Sequence, residues 1–221
     1  MRAFTRAISL LAVAFAGSIV VVTPSNATFT PGMTITAGNL LFTLDTCSVS
    51  HLGVVGVANC NDLNFFALVP PLTPAGTVGF AIQGSILSVG GGTDDVSLLY
   101  TIDVIPPPSD PVHDAHLLMV GGTVGPSAVI AVDELITDGS GFDGWLHTSL
   151  ASPVDSTILL RDAMHLTVLK DILTFSFTPD SLAEISLVDQ YFSQVPEPTL
   201  MAVVGLGLTG LGLIRRRRKA A

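Results

Sequence analysis

The side chains that could do chemistry are two cysteines, five histidines and the carboxylates of an acidic middle. Cys47 and Cys60 stand 13 positions apart. In an oxidising compartment such a pair closes a disulfide, and a loop of about 14 residues would gain roughly 3 kcal/mol on the chain-entropy account. Two reduced, buried thiols are the other reading; without Cys-x-x-Cys a redox pair is not indicated, nor is a cysteine nucleophile. Asp138-Gly139-Ser140-Gly141-Phe142-Asp143-Gly144 suggests a calcium loop, but an EF-hand needs an oxygen at position 5 and glycine at 6. Here those places hold Phe142 and Asp143. A different calcium geometry would have to recruit Asp133 or Glu134, and a polar turn is the simpler reading. Thr93-Asp94-Asp95 could supply oxygens too, or merely end a glycine turn and keep an edge soluble.

His113-Asp114-Ala115-His116 is the one histidine pair. On a strand, positions three apart face opposite ways, so the two do not converge on one ion. His51, His147 and His165 are scattered. Trp145 could stack on a sugar ring, or anchor its glycine-rich loop on the core. Gly-x-Ser-x-Gly, His-Glu-x-x-His and phosphate-loop patterns are absent. So many acids offer accidental carboxylate pairs that no named pair is informative. The reading is a non-enzymatic chain, with no catalytic residue, metal ligand or cofactor assigned.

The elements that must position these residues are strands. From Asp95 to Ile105, Val96, Leu98, Tyr100, Ile102 and Val104 alternate with mostly polar neighbours, the period of a half-buried antiparallel strand. Leu173, Phe175 and Phe177 repeat it, and Ala128 to Val132 reads as a more apolar, central strand. Further strands are expected at Met33–Ala37, Asn39–Thr46, Leu63–Val69, Thr77–Gln83, Asp114–Val120, Ser156–Leu160, Ala163–Lys170 and Ala183–Phe192. Breakers separate them: Pro70-Pro71, Gly90-Gly91-Gly92, Pro106-Pro107-Pro108, Gly121-Gly122, 139–144 and Pro179-Asp180. Strands at about ten-residue spacing predict an all-β fold: a single antiparallel β-sandwich, Ig-like or jelly-roll-like, over 28–195.

The ends carry different instructions. Residues 1–27 read as a secretory signal peptide: Arg2 and Arg6, an uncharged run from Ala7 to Val22, Pro24, then Ser25-Asn26-Ala27 before the cut. At the other end, 196–221 opens on Pro196-Glu197-Pro198. Sixteen uncharged residues follow, Thr199 to Ile214. As a helix they span roughly 24 Å, a short transmembrane segment against a ~30 Å hydrocarbon core. Arg215, Arg216, Arg217, Arg218 and Lys219 make a membrane stop that stays cytoplasmic, so the middle faces out. Between the ends only Arg161 and Lys170 are basic against seventeen acids, a formal −15. Such a surface repels phosphates and excludes nucleic acid as a partner.

Val195-Pro196-Glu197-Pro198-Thr199-Leu200, the apolar run and the basic block together resemble the PEP-CTERM signal of bacterial exopolysaccharide producers. That resemblance implies a partner, an exosortase that cuts near Pro196-Glu197-Pro198. It also implies a precursor tethered in the inner membrane by its C-terminal helix, and delivery to the cell surface or matrix. The middle resembles an ectodomain type common among such proteins, through Gly79-Phe80, Asp95 to Ile102, Ala131 to Glu134, Val168 to Ile172 and Gln190 to Gln194. Those relatives lack an assigned activity. The expected role is structural or adhesive, with exopolysaccharide as an implied partner. The rival is a calcium-dependent polysaccharide-binding module, and the third class is a secreted hydrolase.

Overall fold

The computed structural model describes residues 27–194, apart from 54, 55, 58, 75, 107–109 and 126. The expected signal helix up to 26 and the C-terminal helix lie outside the described residues. Within them the chain is all β, with one 3-10 turn at Cys60–Asp62. The strands are β1 (Ala27–Thr28), β2 (Met33–Ala37), β3 (Leu40–Leu52), β4 (Asn64–Leu68), β5 (Thr77–Val89), β6 (Thr93–Val104), β7 (Val112–Val124), β8 (Ala128–Thr137), β9 (Phe142–Ser149), β10 (Val154–Ala163), β11 (His165–Ser176) and β12 (Leu182–Gln194).

They form two six-stranded antiparallel sheets. The front sheet runs β1-β4-β5-β12-β7-β10 and the back sheet β2-β3-β6-β11-β8-β9. From β5 onward every connection except the β8–β9 hairpin crosses between sheets, which sets β5-β12-β7-β10 against β6-β11-β8-β9. That interleaving is a jelly roll, and it separates the two sandwich alternatives left open by the sequence. The four N-terminal strands widen both sheets at one side.

The alternation of residues 95–105 is what the structure uses. On β6, Val96, Leu98, Tyr100 and Ile102 are buried while Asp95, Ser97, Leu99, Thr101 and Asp103 look outward. Phe42, Phe80 and Phe192 meet Tyr100's neighbourhood at ring distances of 5.0–5.9 Å. Each such side chain removed from water is worth roughly 1.5–3 kcal/mol. Cys47 and Cys60 are bonded, with Cα atoms 6.1 Å apart, and tie the middle of β3 to the 3-10 turn before β4.

Two expectations are corrected. The expected strands at Ala163–Lys170 and 173–177 join into one β11 that runs from His165 to Ser176, with Ala163 closing β10, because Lys170 points inward to a partner and does not break the strand. The glycine-rich stretch ends sooner than expected: β9 begins at Phe142, so Trp145 stands on a strand and not in a loop. Trp145 faces away from the core, 53% exposed, and stacks on His147 at 5.7 Å.

The outer face of the back sheet gathers acids. Asp171 lies directly across from Asp133, and Asp95 sits one diagonal step away on β6. Asp95 also hydrogen-bonds to Asp171. Partial burial first, then Asp95 and Asp133, hold the Asp171 carboxyl at about 6 against an ordinary 3.8. Two carboxylates this close share a proton.

The folded state therefore holds that proton more tightly than the unfolded chain. The stability it brings is complete below the unfolded value and is lost as pH rises through about 6. Asp171→Asn removes this loss. The variant should unfold at a higher urea midpoint than the parent at pH 7, and the gap should close by roughly pH 4. A variant equally destabilised at both pH values would contradict the assignment.

Candidate functional site

The outer face of the front sheet is where side chains converge on a concavity. Four neighbouring strands build it by register. Tyr191 on β12 is flanked by Gly79 on β5 and His116 on β7. One step along, Ser193 lies between Thr77 and Asp114. One step the other way, Asp189 lies between Ala81 and Leu118, with Val154 of β10 beyond. The resulting groove has a volume of about 380 Å³ and is lined by Pro74, Thr77, Asp114, His116, Leu117, Leu118, Val154, Tyr191 and Ser193.

Local chemistry shapes each wall. Gly79 lets β5 and β12 approach: a Cβ there would run into the Gln190 carbonyl and come within 2.9 Å of Tyr191 Cα. Pro74 reaches the rim because its loop is pinned twice. Thr73 Oγ1 donates to the Thr77 carbonyl at 2.6 Å, and Thr77 Oγ1 donates to the Pro74 carbonyl at 2.8 Å. Leu68, Ala81 and Tyr191 form a small apolar cluster of their own, separate from the main core, with Phe66, Leu118 and Leu187 packed against it. The floor of the groove is thus fixed by packing.

Asp114 is the polar hub. Its Oδ1 accepts from the Ser193 amide at 3.2 Å, from Ser193 Oγ, and pairs with His116 Nε2 at 3.0 Å. Beside it the Tyr191 hydroxyl donates to Asp189 Oδ2 at 2.8 Å, while Asp189 Oδ1 is buried without a hydrogen-bond partner. Burial pushes the Asp189 carboxyl up, partly offset by the tyrosine. Burial, reinforced by that carboxyl, pushes the Tyr191 phenol up as well, so it stays a neutral donor.

Serine, histidine and aspartate meet here, but in the wrong order for acyl transfer. A relay needs histidine between the nucleophile and the carboxylate. Here Ser193 and His116 both converge on Asp114, so the carboxylate and not the imidazole faces the serine hydroxyl. The arrangement fixes polar groups in place. Apolar surface continues beyond the groove, where Val120, Val154 and Ile158 are 45%, 57% and 68% exposed.

The calcium candidates are dispersed. Asp138 accepts from Ser140 through its amide and hydroxyl and from Arg161 at 3.0 Å, and its carboxyl is held down at about 2, by Ser140 foremost. Asp143 is buried and accepts from the Arg161 amide. Asp133 pairs with His147 on the outer face, whereas Glu134 points into the core toward Lys170. Asp94 is buried too, accepting from the Val57 and Leu87 amides and pairing with His51. His113 and His116 take different aspartates, Asp162 and Asp114, and His165 takes Asp103. Among the described residues no three His, Cys, Asp or Glu side chains form a metal-holding group.

Sequence reasoning found His116 and Asp114 only as part of a suspected metal pair, and missed Tyr191 and Ser193. The alternation Leu187, Asp189, Tyr191, Ser193 carried the signal that one mixed face of β12 looks outward.

No curated protein matches the chain in sequence. Similar solved structures include TmCBM61 in complex with beta-1,4-galactotriose, 8% identical over 67% of this chain and 88% of that one, with a TM-score of 0.35. Another concerns the promiscuous specificity of carbohydrate-binding modules from the beta-sandwich superfamily. It is 10% identical over 75% of this chain and 61% of that one, with a TM-score of 0.22. Likeness this faint adds nothing to the geometry. The tail is different: residues 194–219 match the family model of the PEP-CTERM protein-sorting motif, a span that includes Pro196-Glu197-Pro198 and the basic run from Arg215 to Lys219. Residues 194–219 thus carry a PEP-CTERM protein-sorting motif.

Proposed function

We propose that this protein is an adhesive component of the cell surface or matrix that holds a neutral polysaccharide in the front-sheet groove. The observation that carries the reading is the groove itself. It is concave, its floor is set by Tyr191, and it has an apolar rim at Pro74, Leu118 and Val154. Fixed polar groups stand at Asp114, His116 and Ser193. Apolar walls with a few oriented hydrogen-bonding groups are what a ligand site needs, and a sugar ring presents both C–H faces and hydroxyls. A formal −15 over 28–195 disfavours uronate-rich polymers and leaves neutral ones. Calcium has no part in this reading, since Asp138, Asp133 and Glu134 are committed to Arg161, His147 and Lys170. Nor has hydrolysis, because Asp114 is the sole carboxylate among the groove-lining residues.

Affinity electrophoresis through neutral polysaccharides, β-1,4-galactan among them, with polygalacturonate as the acidic control, tests the reading. A neutral polymer should retard the protein and the acidic one should not. His116→Ala should weaken binding about tenfold, roughly 1.4 kcal/mol. Chelator and Trp145→Ala should leave it unchanged. Loss of binding in Trp145→Ala with His116→Ala intact would move the site to the back sheet and overturn the proposal.

The same proposal takes residues 1–27 as a cleaved signal, 28–195 as the ectodomain and 196–221 as the sorting segment. The precursor is tethered by 199–214 with Arg215–Lys219 in the cytoplasm, until the exosortase cuts. Intact-mass analysis of surface material should find chains that lack residues 199–221. A mature mass that retains them would make the tail a permanent anchor.

A further inference from the structure

Lys170 is one of two basic residues in the ectodomain, and it lies wholly inside the sandwich. Its Nζ donates to Glu134 Oε2 at 2.9 Å and to Gln190 Oε1 at 2.8 Å. Tyr100 donates to the other Glu134 oxygen at 2.7 Å. All four residues are 0–1% exposed. Their surroundings are apolar: Leu98 beside Lys170, Leu146 beside Glu134, and Phe80 and Leu117 flanking Gln190. Gln190 Nε2 has no hydrogen-bond partner.

An ion pair at such a depth is costly to bury, and an apolar pair of similar volume often serves stability as well or better. An amide nitrogen left bare in the core adds to that cost. These features fit a reaction. The amine sits against a carboxamide whose carbonyl carbon is one C=O bond, about 1.2 Å, beyond the oxygen it contacts. The carboxylate beside both can carry a proton between them, and the leaving nitrogen is the one that nothing holds.

We propose that Lys170 and Gln190 join in an intramolecular isopeptide bond, with Glu134 as the proton carrier, tying β11 of the back sheet to β12 of the front sheet. Glu134 takes one proton from the Lys170 ammonium, and the freed Nζ lone pair attacks Gln190 Cδ. The new C–N bond forms as the carbonyl π electrons move to Oε1. Glu134 passes its proton to Nε2 and takes a second from Nζ. The carbonyl re-forms, the Cδ–Nε2 bond breaks with its electron pair, and ammonia leaves. The ammonium, carboxylate and carboxamide become an amide, a carboxylic acid and ammonia, with atoms and charge balanced and no oxidant or co-reactant. Both buried charges disappear, which is what a dry core favours. Burial lowers the Lys170 pKa against the opposing pull of Glu134, which helps the amine reach its nucleophilic form.

The test is the full chain, purified, denatured, reduced and cut with trypsin. The bond predicts no cleavage after Lys170, and a fragment containing both residues 170 and 190 that is lighter than its sequence by one ammonia. Tandem spectra should place the link between them. Glu134→Gln keeps both reacting residues and should restore the full mass and the cleavage. A parent chain that is cut after Lys170 and shows the unmodified fragment mass overturns the proposal whatever the variant does. A link that persists in Glu134→Gln overturns the role of Glu134.

Discussion

One polar contact holds the centre of this protein: Lys170, Glu134, Tyr100 and Gln190 meeting in a dry interior. It joins the two strands on which the architecture hangs. β11 pairs with both β6 and β8, and β12 pairs with both β5 and β7. Each is a middle strand of its sheet, so their spacing and register decide where every other strand sits. Apolar packing would hold two sheets together in several slipped arrangements. A buried amine that must find one carboxylate and one amide restricts the choice to few, since an unpaired charge there would be strongly destabilising.

The groove depends on that register. Its polar groups come from residues nearly eighty positions apart, Asp114 on β7 and Ser193 on β12. They meet because Gln190, three residues from Ser193, is anchored inside the sandwich. Along β12 the two faces carry different tasks: Val188, Gln190 and Phe192 look into the core, while Tyr191 and Ser193 line the groove and Asp189 accepts from the Tyr191 hydroxyl. A one-residue slip would exchange them. The disulfide adds a second restraint at the other side, where β3 leads into β4.

How much of this could be read beforehand follows from the range of the interactions. The period-2 run from Asp95 to Ile105 predicts β6 closely, and breaker spacing predicts a sandwich, because both are local. The tail is legible because its motif, apolar run and basic block are contiguous. Lys170-Asp171 looked like the end of a strand, since a lysine on the buried face makes sense only once Glu134 and Gln190 stand opposite it. β9 was hidden by the glycines before it. The jelly roll connectivity, the convergence on Asp114 and the meeting of Lys170 with Glu134 and Gln190 are products of pairing and packing between strands distant in sequence. No window of residues contains them.

The central claim is that this register makes the front-sheet groove the working face. Amide hydrogen exchange on the full chain, with and without a saturating neutral polysaccharide, tests it most directly. Slower exchange confined to 74–79, 114–118 and 189–193 is the predicted result. Protection over β8 and β9 around Trp145, with the groove unchanged, would contradict it.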